Sequence, residues 1–343
     1  MKALLLAGGL GTRLRPLTEH LPKPMAPVMD RPWLEHLIEH LRRQGIDEFV
    51  IAVKHHASVI ERRLGDGRRL GVRITYSREP GLLGTAGAIK HAEPLLSERF
   101  LVLNADIIHL TRLVPLLEFH RNTGALVTIG LTEVEDPSQY GVVEQTWDGR
   151  ILRFVEKPPR ALAPSRRINA GIYVMEKEVL RHIPAGREVS IERETFPHLI
   201  KSGVPVYGAP VDGYWLDMGT LERYLWLHRD VLDGRIRLPW VPAPKRPGIW
   251  IGENAQIHPT ARFEPPVWVG AGARIGAACV VGPYAVVGAG AELLGHTRIS
   301  NAIVLPRTQA SGITAIGNAI VGPDFYAALQ PVGAAQNEGV LQH

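Results

Sequence analysis

Through the first 235 residues, short apolar runs alternate with stretches in which apolar positions recur every three or four residues; near the C-terminus the repeat shortens to six. The first pattern predicts an α/β sheet. Strands are predicted at 2–7, 49–53, 72–76, 100–103, 126–131 and 172–175. A helix is predicted over 33–44, where Leu34, Leu37, Ile38 and Leu41 share a face and Gly45 permits the stop. Ser58-x-x-Glu61 reads as a capping box opening a second helix. Thr220 caps a third, on which Leu221, Tyr224, Leu225 and His228 share a face; His228 then reads as a packed residue rather than a ligand.

Segment 238–248, LPWVPAPKRPG, holds four prolines. Proline fixes φ and removes a donor, so this stretch is expected to be a stiff, extended linker. Beyond it, Ile251, Ile257, Phe263, Val269, Ile275, Val281, Val287, Leu293, Ile299 and Leu305 recur every six residues. Glycine follows at Gly252, Gly270, Gly276, Gly282 and Gly288. Small side chains recur at Ala255, Ala261, Val267, Ala273, Cys279, Ala285, Ala291 and Thr297. A large inward residue, a turn-permitting glycine and a small inward residue suit a triangular coil of short parallel strands. The pattern resembles the hexapeptide-repeat left-handed β-helix, and ten hexads predict three coils. The domain expectation is a Rossmann-like α/β domain over 1–237 with a mixed, mostly parallel sheet, a linker at 238–248, a short left-handed parallel β-helix over 249–322 and a tail over 323–343.

Composition narrows the class. The single cysteine excludes a disulfide framework and a thiolate-built zinc site. No apolar run approaches the roughly 20 residues that span a bilayer, and Met1-Lys2 leads into a strand instead of a signal peptide, so the expectation is a cytoplasmic protein with no membrane partner. The net charge is +5, yet residues 249–343 carry four arginines, no lysine and five acidic residues. The basic excess therefore lies in the first part of the chain. No basic run with interleaved aromatics accompanies it, which argues against nucleic acid and for a small anionic ligand.

The chemistry concentrates at the N-terminus. The first strand, ending at Leu6 and Ala7, runs into Gly8-Gly9-Leu10-Gly11-Thr12-Arg13, followed by Pro22-Lys23-Pro24. Glycines after a first strand let backbone N–H groups approach phosphates. Arg13 and Lys23 add two cations beside that turn. The stretch is neither a Walker loop nor a clean dinucleotide fingerprint. Asp106 follows an apolar strand, where open α/β sheets bind ligands. Asp217 follows Tyr214-Trp215-Leu216 and precedes Gly219.

AGGLGTRLRPLT followed by PKPMAPV resembles the signature of the sugar-1-phosphate nucleotidylyltransferases, or nucleotide-sugar pyrophosphorylases. Leu83-Gly84-Thr85-Ala86-Gly87, Asn104-Ala105-Asp106, Tyr140-Gly141-Val142-Val143, Glu156-Lys157-Pro158, Asn169-Ala170-Gly171 and Trp215-Leu216-Asp217-Met218-Gly219 follow in the family's order. The resemblance implies that Leu6, Ala7, Gly8, Gly9, Gly11, Thr12, Gly84 and Thr85 bind the nucleotide. It implies that Arg13 and Lys23 are catalytic, and that Asp106 and Asp217 hold Mg²⁺. Gly141, Glu156, Lys157, Asn169 and Gly171 would bind the sugar phosphate. In the implied reaction, an oxygen of a sugar 1-phosphate attacks the α-phosphorus of a nucleoside triphosphate and pyrophosphate leaves. The attacking phosphate is already anionic near neutral pH, its second pKa being about 6, so no general base is required.

Ser190-Ile191-Glu192-Arg193-Glu194-Thr195-Phe196-Pro197, Tyr140–Val143 and the β-helix most resemble mannose-1-phosphate guanylyltransferases, implying GTP and mannose 1-phosphate. Ala105 departs from the usual glycine or serine and leaves the base open. The alternatives are glucose-1-phosphate thymidylyl-, uridylyl- or adenylyltransferases and heptose-1-phosphate guanylyltransferases. A non-catalytic nucleotide-sugar sensor is a further alternative, against which all four of Arg13, Lys23, Asp106 and Asp217 are retained. Acyl transfer by the β-helix, using His258 or His296, is another. The coil is expected to serve as an assembly surface, making the protein a homo-oligomer.

Overall fold

The computed structural model describes residues 1–244, 246–310 and 314–330. These form two compact units: Met1–Leu10 with Leu37–Leu216, and Gly11–His36 with the described residues from Asp217 onward. The proline-rich segment expected at a boundary lies inside the second unit.

The first unit is built on strands β1 (Lys2–Leu6), β2 (Glu48–Val53), β3 (Arg73–Arg78), β4 (Arg99–Asn104), β5 (Val127–Glu133), β6 (Gly141–Gln145), β7 (Ile151–Glu156), β8 (Arg167–Glu176) and β9 (Val206–Pro210). They form the expected mixed sheet, in the order β7-β6-β8-β4-β1-β2-β3, with β5 and β9 joined through β8. β1 is parallel to β2 and to β4, setting Leu4 opposite both Val50 and Val102. β8 runs antiparallel to β4 and β5. Strands in the parallel part read as continuous apolar runs because both sheet faces are covered, and Leu4, Val50 and Val102 are fully buried. One consequence positions the chemistry: β1, β2, β3 and β4 all end at the same sheet edge, leading to Gly8, Lys54, Glu79 and Asp106.

The helices are α1 (Trp33–Arg42), α2 (Ala57–Leu64), α3 (Gly84–His91), α4 (Leu113–Thr123), α5 (Phe196–Lys201) and α6 (Leu221–Leu232). The capping-box expectation at Ser58 fails. α2 starts two residues earlier than a Ser58 cap would set it, its N-cap is His56 in the left-handed region (φ 52°), and no side chain caps it. Thr220 does cap α6, accepting the Arg223 N–H at 3.3 Å.

The second unit contains a parallel β-helix of the left-handed, hexapeptide-repeat class. Its first rungs repeat every 18 residues: Ile251 lies over Val269, Ile257 over Ile275, and Val281 over Ile299. The step then shortens to 17, with Val287 under Val304, Leu293 under Ala310 and Ile299 under Ile316. Leu305, expected in the stack, is therefore displaced from it by Val304. Asn301 and Asn318 turn this shortened corner at φ 45°, inside otherwise continuous strands. Asparagine tolerates that region better than other side chains, and the two amides hydrogen-bond to each other. Three coils are expected from the hexads. Among the described residues one face stacks five rungs, hence four coils, because the shortened repeat continues to Gly322. Part of the tail is ordered: Phe325–Ala328 pairs antiparallel with Ala315–Gly322. Residues 331–343 of the expected tail lie outside the described residues. Cys279 is a fully buried core residue, as expected, with its thiol 3.0 Å from the Leu294 carbonyl.

Two histidines of the second unit are buried and neutral. His228 Nδ1–H donates to the Tyr224 carbonyl at 2.8 Å and Nε2 accepts the Met29 N–H at 3.3 Å. Only a neutral ring can do both. Burial pushes His228 and His36 down to about 4. A depressed histidine stabilises fully above its unfolded pKa of about 6.5, and the contribution is lost as the unfolded chain takes up protons below that. Unfolding free energy is therefore expected to fall between pH 6.5 and 4, by up to about 3 kcal/mol per histidine. A urea midpoint constant from pH 7 to pH 4.5 would contradict this.

Candidate active site

In the first unit, Gly8 stands two residues past β1, with Ala7 N–H bonded to the Ala52 carbonyl at 3.0 Å. Leu6 is half-buried and Ala7 buried, while Gly9 is exposed, and a Cβ there would meet nothing within 4 Å. A Cβ at Gly8 would lie 2.7 Å from the Glu79 carboxylate. Glu79 is half-buried; burial raises its pKa, opposed by Lys54. The sequence reading missed Glu79. Its signal is positional: it stands one residue past β3, at the same edge as Gly8.

Gly84 opens α3 at φ 67°, where a Cβ would come within 2.5 Å of the Val189 carbonyl. The Thr85 hydroxyl accepts the Ile191 N–H at 2.8 Å and donates to Glu192 at 2.9 Å. Both expected nucleotide residues thus support the 189–192 segment.

The residues expected to bind the sugar phosphate lie on or next to β6, β7 and β8. A Cβ at Gly141 would sit 2.9 Å from Glu156 Oε2. Glu156 is pushed up by burial and by Glu192, with Lys157 and Arg193 opposing. Lys157 sits at φ 49° and its N–H bonds the Tyr140 carbonyl at 3.0 Å. The Asn169 side-chain oxygen accepts the Gly171 N–H at 2.9 Å, and its amide nitrogen donates to the Tyr173 hydroxyl at 2.8 Å. Asn169 therefore shapes the turn at Gly171 (φ 77°), whose missing Cβ would strike Ile107. Asp106 is half-buried in the turn after β4, next to fully buried Ala105, whose N–H reaches the Leu6 carbonyl at 3.1 Å.

In the second unit, Gly11 takes the left-handed conformation (φ 59°) and its carbonyl accepts the Thr18 hydroxyl at 2.7 Å. The turn it opens, Thr12–Leu14, carries Thr12 and Arg13 at the surface. Lys23 is only 5% exposed, and its Nζ lies 3.2 Å from Asp217 Oδ1. Asp217 Oδ2 faces Arg13 at 3.9 Å and Arg223 at 3.5 Å. Three cations converge on one carboxylate. Arg223, absent from the sequence reading, lies one turn inside α6 from its Thr220 cap. Gly219 keeps that approach open, since a Cβ there would lie 3.0 Å from Asp217 and 3.3 Å from Arg13.

Asp106 in the first unit and Asp217 in the second each offer hard carboxylate oxygens, the donors Mg²⁺ takes. Among the described residues no cluster of three or more His, Cys, Asp or Glu side chains forms a metal cage. A Mg²⁺ bound at either carboxylate would draw its other ligands from substrate and water. His258 and His296 are exposed at coil corners. A shallow depression lined by Glu98, Arg99, His120 and Glu176 lies at the amino-terminal end of β4 and includes none of these motifs. Among the described residues no helix is long and apolar enough to cross a membrane.

The nucleotidyl transferase family model matches residues 2–234, and the bacterial transferase hexapeptide model, six repeats, matches residues 248–283. The chain is 39% identical over 269 residues to a UTP–glucose-1-phosphate uridylyltransferase of Synechocystis, covering 74% of this chain and 69% of that protein. It is 41% identical over 234 residues to a mannose-1-phosphate guanylyltransferase of Mycobacterium tuberculosis, covering 68% and 65%. The chain thus spans about two thirds of the length of these curated relatives. Among solved structures it resembles HddC from Yersinia pseudotuberculosis, with a TM-score of 0.59 and 27% identity, covering 67% of this chain and 99% of HddC. HddC has also been solved with GMP-PN.

Proposed function

Because the chain belongs to the nucleotidyl transferase family, we propose that it transfers a nucleoside monophosphate from GTP to mannose 1-phosphate, releasing pyrophosphate. The observation that carries this reading is the buried Lys23, ion-paired to Asp217 beside Arg13 and Arg223. A lysine held in this way costs no reorganisation when charge builds on a phosphate. The exposed Gly9 loop presents backbone N–H groups to the triphosphate. Lys23 neutralises the α-phosphate region, and Arg13, 64% exposed at its side chain, swings to the departing pyrophosphate. Glu156 accepts sugar hydroxyl hydrogen bonds and Lys157 binds the sugar's phosphate. Mg²⁺, assigned to Asp106 and Asp217, supplies charge neutralisation on the phosphates when bound. Assembly into a homo-oligomer through the coil belongs to the same proposal.

Glu79 supports the choice of GTP. Guanine presents two adjacent donors, N1–H and the 2-amino group, which a carboxylate can accept together. Uracil and thymine present one N–H between two carbonyls, and adenine presents an acceptor beside its amino group; a carboxylate repels either arrangement. Glu79→Gln is expected to lower kcat/KM for GTP about tenfold to a hundredfold. Because burial raises the Glu79 pKa, the wild-type kcat/KM for GTP is expected to fall with decreasing pH above the ordinary carboxylate range, a limb absent from Glu79→Gln. An unchanged base preference in that variant would remove the guanine assignment.

The deciding experiment is pyrophosphate release with Mg²⁺, pairing GTP, dTTP, UTP and ATP with mannose, glucose and heptose 1-phosphates. GTP with mannose 1-phosphate is expected to give the highest kcat/KM. A higher value for glucose 1-phosphate with UTP or dTTP would replace the substrate pair but keep the reaction.

A further inference from the structure

Between Lys23 and α1 the chain forms a short hairpin, Pro27–Val28 paired with Arg31–Pro32, whose tip is Met29-Asp30. Met29 takes φ 55°, turning the Asp30 carboxylate onto the β-helix. There Asp30 accepts the Ala289 N–H at 2.9 Å and the Ala271 N–H at 3.3 Å. These are equivalent corners of two successive coils, 18 residues apart. The neighbouring corner amides serve the coil itself: Gly270 bonds Val287, Gly272 bonds Glu253, Gly288 bonds Val304 and Gly290 bonds Ala271. Asp30 thus takes two donors that the coil's own ladder leaves over. The approach requires glycine at 270, where a Cβ would lie 2.5 Å from Asp30 Oδ1.

The rest of the hairpin is held along its length. The Tyr224 hydroxyl bonds the Pro27 carbonyl, His36 bonds the Val28 carbonyl at 3.2 Å, and His228 takes the Met29 N–H. Arg31 stacks on Trp240, 4.4 Å from the ring centre. The base of the hairpin is the turn Lys23–Met25, and Trp33 N–H closes it on the Ala26 carbonyl at 3.0 Å. Tyr224 and His228 belong to α6, the helix that opens just after Asp217 and supplies Arg223. Lys23 and Asp217 therefore both stand on segments braced within the unit that holds the coil.

We propose that Asp30 is a positioning residue, and that the hairpin it anchors is a strut by which the β-helix holds Lys23 at Asp217. This rests on the proposed transfer reaction only for its kinetic readout. The charge on Asp30 makes both bonds charge-assisted, and the bonds from Tyr224, His36 and His228 brace the strands between tip and base. A shift of about 1 Å at a catalytic group can cost on the order of a hundredfold in rate, so partial release of the tip is expected to be visible kinetically.

The test uses the full chain with Asp30→Ala, Asp30→Asn and, as a control, Tyr284→Phe. Tyr284 makes a different coil contact, donating to Asp233 at 2.9 Å beyond α6. Asp30→Ala is expected to lower kcat about tenfold while the KM for both substrates stays within about twofold. Asp30→Asn, which keeps one acceptor oxygen, recovers part of the loss. Hydrogen exchange followed by mass spectrometry is expected to speed about tenfold in the peptide containing Met25 and Ala26, and to stay unchanged in β1 and β4. Tyr284→Phe leaves both readouts at wild-type values. Wild-type kcat and exchange in Asp30→Ala would overturn the proposal, as would equal losses in Tyr284→Phe. If the wild-type protein turns over no substrate pair, the transfer reading fails, and exchange at Met25 and Ala26 still decides the strut.

Discussion

Lys23→Ala is expected to reduce turnover about a thousandfold, or ~4 kcal/mol of transition-state stabilisation, while leaving the protein folded. The expectation combines two features of the residue. Lys23 is nearly inaccessible, so no water or mobile side chain replaces its charge in the variant. Asp217 retains Arg13 and Arg223, so removing Lys23 does not strand a buried carboxylate, and the stability loss is expected to stay near 1–2 kcal/mol. Lys23→Arg is expected to rescue poorly, because a planar guanidinium does not fit a slot shaped around an ammonium whose stem packs against Gly11. Pyrophosphate release measured beside circular dichroism and a urea midpoint separates the two effects. Near-normal rates in a folded Lys23→Ala protein would sink the catalytic assignment.

Asp106→Asn is expected to cost turnover about a hundredfold or more, and to shift the Mg²⁺ concentration giving half-maximal rate upward by a similar factor. Asn104-Ala105-Asp106 leaves β4 at the carboxyl end of the parallel strands, and the bond from Ala105 N–H to Leu6 ties that turn to β1. The amide keeps the shape of the side chain and loses its charge, so the variant tests the charge itself. Partial rescue by excess Mg²⁺ distinguishes a weakened metal site from a distorted fold. An unshifted Mg²⁺ dependence with reduced rate would place Asp106 elsewhere in the chemistry.

Local signals were readable where one short-range rule decided the outcome. The parallel strands at Leu4, Val50 and Val102 appeared as uninterrupted apolar runs, the Thr220 cap as a hydroxyl before a helical stripe, and Cys279 as a small residue in a strict period. The Ser58 box matched a local rule, and the helix nonetheless began earlier, on His56 in the left-handed region. Leu305 satisfied the period of six, but a corner shortened by one residue, turned at Asn301, moved Val304 into the stack. That deletion is invisible to a count of sixes, because Val304 and Leu305 are equally apolar.

The sequence by itself determined which residues are available for chemistry: a glycine loop after the first strand, Arg13, Lys23, Asp106 and Asp217 in ordered motifs, and a coil encoded by its repeat. These are matters of side-chain identity and spacing along the chain. The tertiary structure alone decided which charges meet. It brought Arg223 to Asp217, set Glu79 beside Gly8, bonded the Asn169 amide to Gly171 and Tyr173, and placed Asp30 on two coil amides 241 and 259 residues away. Such pairings depend on strand order, register and burial, which set distance and dielectric together, and neither quantity is written in the spacing of residues along a chain.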